Sequence, residues 1–263
     1  MLLEAKKISV TFGGVHAVRD VNLCLEAGEL LGVIGPNGAG KTTLLDAVSG
    51  YVNAHGTIEL AGTGRIDQLP PHRRARAGMT RTWQSVELFV GMTVEENIRI
   101  GCERVTLGQF LRSAVLPSQR LAPRLVSEIM ERLSIGEVAS RLVADLTPGQ
   151  AQLVGLARAM ASKPKVLLLD EPAAGLDTRE SQSLAAQIRE LVDSGIGVIL
   201  VEHDMDLIFS ICDRVQVMQT GQTISVGSVS EVRNDPVVRA AYLGATDDEV
   251  DDSPTRTGAQ VDG

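Results

Sequence analysis

The chain has 263 residues, 44% of them hydrophobic, and a formal net charge of −8. That is enough for one large domain or two small ones with a substantial core, and too apolar for a disordered chain. The longest apolar runs, VLLL and VILV, are far too short to span a bilayer. The start, MLLEAKK, does not read as a secretory signal, and Cys24, Cys102 and Cys212 are too scattered for a disulfide framework or a metal site, so a reducing cytosol is the default.

In chain order, Val21, Leu23 and Leu25 alternate with polar neighbours, as in a half-buried strand. Leu30 to Ile34 is an apolar run ending in glycines, and a helical pattern follows from Lys41 to Ser49, stopped by Gly50. Thr57 to Leu60 reads as a short strand. From about Gln84 to Lys163 the pattern is mostly helical, with an irregular middle expected around Pro117 and Pro123. Val166 to Leu169 and Val198 to Val201 read as buried parallel strands. Between them, Thr178 to Asp193 is an amphipathic helix with Leu184, Ile188 and Leu191 on one face. Val215 to Val226 reads as a hairpin turning at Thr220-Gly221. Strand and helix alternate, so the core is α/β with an inserted helical block.

Charge is unevenly spread. Residues 246–263 hold Asp247, Asp248, Glu249, Asp251, Asp252 and Asp262 against Arg256, and are expected to be a disordered acidic tail. Arg65, Arg73, Arg74, Arg76 and Arg81 form a basic cluster. With few aromatics nearby, it reads as a solvated surface turn rather than a nucleic-acid site.

GPNGAGKT, Gly35 to Thr42, fits the phosphate loop G-x-x-x-x-G-K-[ST], and it lies between a predicted strand and a predicted helix. Glycines let backbone N–H groups close around phosphate oxygens, at the positive end of the helix dipole. Lys41 is placed to reach the β- and γ-phosphates, and the Thr42 hydroxyl to bind Mg²⁺. Asp170 and Glu171 end the strand in VLLLDEP, where open α/β sheets place their ligands. Asp170 can hold Mg²⁺ through water, and Glu171 can polarise an attacking water. His203, in VEHD, ends the next apolar strand and is positioned toward a γ-phosphate. In LTPGQ, Thr147 fits an N-cap, Pro148 the first helical position and Gln150 the third, which makes a capping box. Gly149 leaves that helix head bare, as suits an anion.

GPNGAGKTT, the Gln of RTWQ, LTPGQ, VLLLDEP, AGLD and VEHDM occur in the order of the ATP-binding cassette (ABC) transporter ATPases, which the chain resembles over roughly residues 1–245. The resemblance implies an α/β P-loop NTPase fold with a RecA-like core, an antiparallel β subdomain and a helical subdomain at about residues 85–164. Its cofactors would be ATP and Mg²⁺. It implies a nucleotide site of Gly35, Asn37, Gly38, Ala39, Gly40, Lys41, Thr42 and Thr43, with Phe12 on the adenine. Core packing of Phe12 remains the alternative. It further implies Thr42, Gln84 and Asp170 at the metal, Glu171 as catalytic base, His203 on the γ-phosphate and Gln84 as a switch. Thr147, Gly149, Gln150 and Asp177 would face the nucleotide of a second ATPase subunit, in a homo- or heterodimer.

FGGVHAV, LPPHRRARAG, DEPAAGL and the ending DPVVRAAYLG look more narrowly like ATPases of branched-chain amino acid importers. That implies separate integral-membrane permease subunits, an indirectly coupled solute-binding protein, and a place on the cytoplasmic face of the membrane. Urea or amide importers and lipid exporters remain alternatives. The chain departs from the wider pattern in having Thr147-Pro148 where the superfamily has Ser-Gly. A GTP switch is disfavoured by the missing guanine-reading motif. A ribosome- or nucleic-acid-directed ATPase is disfavoured by the single cassette.

Overall fold

The structure is a computed structural model, which describes residues 1–82, 87–102 and 122–243. The acidic tail, Trp83, Gln84 and Pro117 lie outside the described residues. Two sheets form the body. The first is antiparallel in the order β2-β1-β4-β5, from β1 (Leu3–Phe12), β2 (Val15–Leu25), β4 (His55–Leu60) and β5 (Gly64–Arg65). The second is built on β3 (Leu30–Ile34), β6 (Met79–Arg81), β7 (Val166–Asp170), β8 (Gly197–Val201), β9 (Arg214–Gln219) and β10 (Gln222–Ser228), in the order β10-β9-β3-β8-β7-β6. All its neighbours are parallel except the β9–β10 hairpin. That hairpin turns at Thr220 and Gly221, both with positive φ, as a primed two-residue turn requires.

The central strands are apolar on both faces, and their alternation divides the core in two. Leu30, Leu167, Leu169, Val198 and Leu200 face one cluster, with helices behind it. Leu31, Val33, Val166, Leu168, Ile199 and Val201 face the other, shared with the antiparallel sheet and α1 (Lys41–Ser49). Gly50 ends α1 in the left-handed region, as expected from the sequence. Downstream come α2 (Pro71–Ala77), α3 (Val94–Cys102), α4 (Ala122–Arg132), α5 (Pro148–Ala161) and α6 (Thr178–Asp193), then α7 (Met205–Ile211), α8 (Val229–Asn234) and α9 (Pro236–Leu243). Leu184, Ile188 and Leu191 of α6 are buried together.

Three features depart from expectation. Pro123 does not disrupt a helix but sits in the first turn of α4, where its missing N–H costs nothing. β1 falls outside the elements expected from periodicity, because bulges interrupt its register against β2. The arginine cluster is not a surface turn throughout. Arg74 is buried, donating to the carbonyls of Ala47 and Val48 at 2.9 and 2.7 Å at the end of α1, and Arg81 is buried in ion pairs.

Candidate nucleotide site

Three strand ends meet at one place. In the parallel register Val33 lies beside Val201, and Asp170 lies beside Val201 on its other flank. The chain leaves β3 into the loop at Gly35, β7 into Glu171 and β8 into Glu202 and His203, so all three carry chemistry to the carboxyl edge of the sheet.

The loop has the backbone that a phosphate cradle needs. Gly35, Gly38 and Gly40 have positive φ. A Cβ on Gly35 would stand 2.1 Å from the Met218 carbonyl oxygen, and one on Gly40 would stand 2.3 Å from that of Ala17, so glycine is obligatory at both. Gly38 has nothing within 4 Å and marks the open side. Ala39 is buried, while Asn37, Gly38 and Thr42 are exposed and Thr43 is half-buried. The first helical N–H with a partner in α1 is that of Leu44, which donates to Gly40 at 2.8 Å. The N–H groups of Lys41, Thr42 and Thr43 therefore lie at the open N-terminus, where they suit an anion. Lys41, only 5% exposed, donates to the carbonyls of Gly35 and Pro36 at 2.7 and 3.1 Å. Burial lowers its pKa, against the pull of Glu171 and Asp170.

Thr42 donates its hydroxyl to Asp170 Oδ1 at 3.3 Å, which leaves the hydroxyl lone pairs for a cation. Burial pushes the Asp170 carboxyl up, opposed by Arg81 and Thr42. Two hard oxygen donors from two elements fit a small divalent ion that keeps several waters and phosphate ligands. Among the described residues, no group of three or more His, Cys, Asp or Glu could cage a metal alone.

Glu171 sits one residue on, with φ 48°, a left-handed conformation uncommon for a side-chain-bearing residue. Its N–H donates to the Val201 carbonyl at 2.9 Å, and its Oε1 lies 2.6 Å from His203 Nε2. The expected base and the expected γ-phosphate residue are thus in direct contact. Glu202 was not anticipated. It is buried and accepts the N–H groups of Ala173 at 2.8 Å and His203 at 3.3 Å, tying the segment after Glu171 to the segment carrying His203. A lone carboxylate closing an apolar strand is the signal that marks it.

Phe12 is 51% exposed, which removes core packing as its role. It closes the β1–β2 turn opposite Val15, and the same hairpin brings Ala17 against Gly40. In α9, burial pushes the Tyr242 phenol up to about 12, opposed by the nearby Gly35 backbone.

A second group of expected residues gathers at two other helix heads. The capping box of α5 is formed, with Gln150 N–H donating to the Thr147 hydroxyl oxygen at 3.2 Å and Thr147 N–H to Gln150 Oε1 at 3.1 Å. Asp177 caps α6 through the Glu180 N–H at 2.8 Å. A Cβ on Gly149 would stand 2.6 Å from Glu180 Oε1, so the two heads pack together. Among the described residues, this group shares no hydrogen bond with residues 35–43.

A mostly parallel sheet with a phosphate loop after β3 and the Asp170–Glu171 carboxylate pair at the end of β7 defines the class of P-loop nucleotide hydrolases. The description "ABC transporter" matches residues 18–174, and "Branched-chain amino acid ATP-binding cassette transporter" matches residues 222–248. The chain is 37% identical over 249 residues to the high-affinity branched-chain amino acid transport ATP-binding protein BraF of Pseudomonas aeruginosa, covering 92% of this chain and 98% of the relative. Identity and coverage are the same for the Escherichia coli K12 protein LivG, of the same description. Among solved structures, the ADP conformation of MJ1267, an ATP-binding cassette of an ABC transporter, superposes with a TM-score of 0.80 at 29% identity, covering 92% of this chain and 98% of that one. The chain belongs to the ABC transporter family, as an ATP-binding and ATP-hydrolysing subunit.

Proposed function

We propose that this subunit hydrolyses Mg-ATP as a dimer to drive uptake of branched-chain or related amino acids through separate membrane permeases. Phe12 stacks on the adenine. Asn37, Gly38, Ala39, Gly40 and the N–H groups of Lys41, Thr42 and Thr43 wrap the phosphates, and Lys41 neutralises the β- and γ-oxygens. Thr42 and Asp170, with Gln84, hold Mg²⁺, which supplies charge neutralisation at the phosphates. Glu171 takes the proton of the attacking water, and His203 holds the γ-phosphate and the base in register. Thr147, Gly149, Gln150 and Asp177 contact the nucleotide held by the second subunit.

The observation that carries the reading is the contact of Glu171 with His203, one residue beyond a carboxylate bonded to Thr42. The permease role is supported by an apolar depression of about 360 Å³ between β6, α3 and α5, lined by Phe89, Ile100, Leu156 and Ala159. Exposed Val90 and Met92 stand close by in the chain. Such a face suits an amphipathic segment of a partner. Among the described residues no helix is long and apolar enough to cross a membrane; in this reading separate permeases supply the path for the solute, and the subunit sits on their cytoplasmic side. The substrate class rests on the relatives, BraF and LivG.

The test is ATP-driven leucine uptake in proteoliposomes holding the permease, its binding protein and this subunit. Uptake should be competed by isoleucine and valine and not by urea. Glu171→Gln should abolish uptake and cut turnover by about 10²- to 10⁴-fold, while ATP binding survives and a nucleotide-bridged dimer accumulates on gel filtration. Turnover within a few-fold of the parent removes Glu171 as the base.

A further inference from the structure

We propose that Arg81 is the positioning residue of the metal carboxylate: it clamps Asp170 to α1, so that only Oδ1 is presented beside the Thr42 hydroxyl. The proposal rests on the reading of Thr42 and Asp170 as the divalent-cation site.

Arg81 ends β6, three residues before Gln84 in the sequence, and its side chain is 2% exposed. Its Nη2 donates to Asp170 Oδ2 at 2.8 Å. Its Nη1 bonds the Asp46 carboxylate and donates to Ser49 Oγ at 3.3 Å, both on α1. One planar guanidinium therefore joins three elements: α1, which begins at Lys41 and Thr42, β7, which ends in Asp170, and β6. The carboxylate has two oxygens, and the clamp divides them. Oδ2 is engaged by the cation of Arg81, and Oδ1 is left with Thr42 at 3.3 Å. A carboxylate free to rotate would present either oxygen, or both, at the same position.

A buried ion pair often contributes little to stability compared with an apolar replacement, so core cohesion alone does not call for this one. Its geometry addresses a ligand atom instead. Partners one step removed from a metal set the orientation and basicity of the group that binds it. Two Nη groups aimed at two carboxylates use the fork of arginine, which the point charge of lysine cannot reproduce.

Arg81→Lys and Arg81→Met are compared with Asp170→Asn and Asp46→Asn. Three quantities are read on each: Mn²⁺ affinity of the ADP-bound protein by electron paramagnetic resonance, ADP affinity in EDTA by calorimetry, and the melting temperature without nucleotide. Both Arg81 variants should bind Mn²⁺ about 10- to 100-fold more weakly, with metal-free ADP affinity unchanged. Asp46→Asn, which frees the far side of the clamp, should fall between them and the parent. If Arg81→Lys binds Mn²⁺ as the parent does while Asp170→Asn does not, the clamp is overturned and the metal site stands. If Arg81→Lys loses Mn²⁺, metal-free ADP and melting temperature together, Arg81 is a core ion pair and the proposal fails. If Asp170→Asn keeps full Mn²⁺ affinity, the cation site itself is wrong and the clamp goes with it.

Discussion

Two helix heads in this molecule are built in opposite ways. At α1 the N-cap is Gly40, in the left-handed region, with no side-chain cap. At α5 the N-cap is Thr147, and a complete capping box closes on Gln150. The uncapped head leaves first-turn N–H groups for a ligand within its own chain. The capped head has spent the N–H groups of Thr147 and Gln150 on its own side chains, and it keeps the Thr147 hydroxyl proton as a donor. Pro148 has no N–H to add. A head so satisfied is stable without a phosphate, as suits one that meets ATP only when a second subunit arrives. In our account the first head binds and the second head joins.

The largest break in that contrast should come from Lys41→Ala. It removes the Lys41 ammonium from the mouth of α1, and a hydrogen bond from a charged donor is worth about 1.5–3 kcal/mol. Calorimetry on the isolated subunit should show ATP affinity falling by roughly 10- to 100-fold, and unchanged affinity would take Lys41 off the phosphates. Gly149→Ala should act more weakly and only on the second head. Its Cβ would press Glu180 out of place, and Glu180 Oε2 accepts the Asp177 N–H in the α6 capping box. Loss of that cap costs about 1 kcal/mol. The melting temperature and ATP-driven dimerisation should both drop, with monomer ATP affinity intact. Glu180→Ala removes the same cap without the clash, so it should lower the melting temperature by a similar amount; an unchanged melting temperature in Glu180→Ala would mean that the Gly149→Ala effect does not run through that cap.

Much of this contrast was legible in the sequence, because it is local. The cap at Thr147, the proline at the first position and the glycine stop after Ser49 are chosen by residues within one turn of each other. The bounds of α1 and α6 and the turn at Thr220-Gly221 followed from the same short-range logic. What the sequence hid was set by distant partners. Arg74 and Arg81 looked like members of a solvated cluster, yet they are buried by carbonyls of α1 and by Asp46 and Asp170, the last of these 89 residues away. Glu202 looked like part of a His-centred motif, and its work is to hold Ala173, 29 residues earlier. Core packing of Phe12 could be set aside only by its exposure, which the neighbouring fold determines.

Complementation between damaged chains tests the central claim most directly. Lys41→Ala and Thr147→Ala subunits are each assayed alone for ATP hydrolysis and then mixed in equal amounts. If α1 binds its own nucleotide and α5 serves the partner's, a mixed dimer has one site carrying both defects and one carrying neither. Hydrolysis in the mixture should then exceed the mean of the two separate preparations. If α5 instead serves the nucleotide of its own chain, every mixed dimer has two damaged sites. The mixture would then give no more than that mean, and the assignment of the two heads would be contradicted.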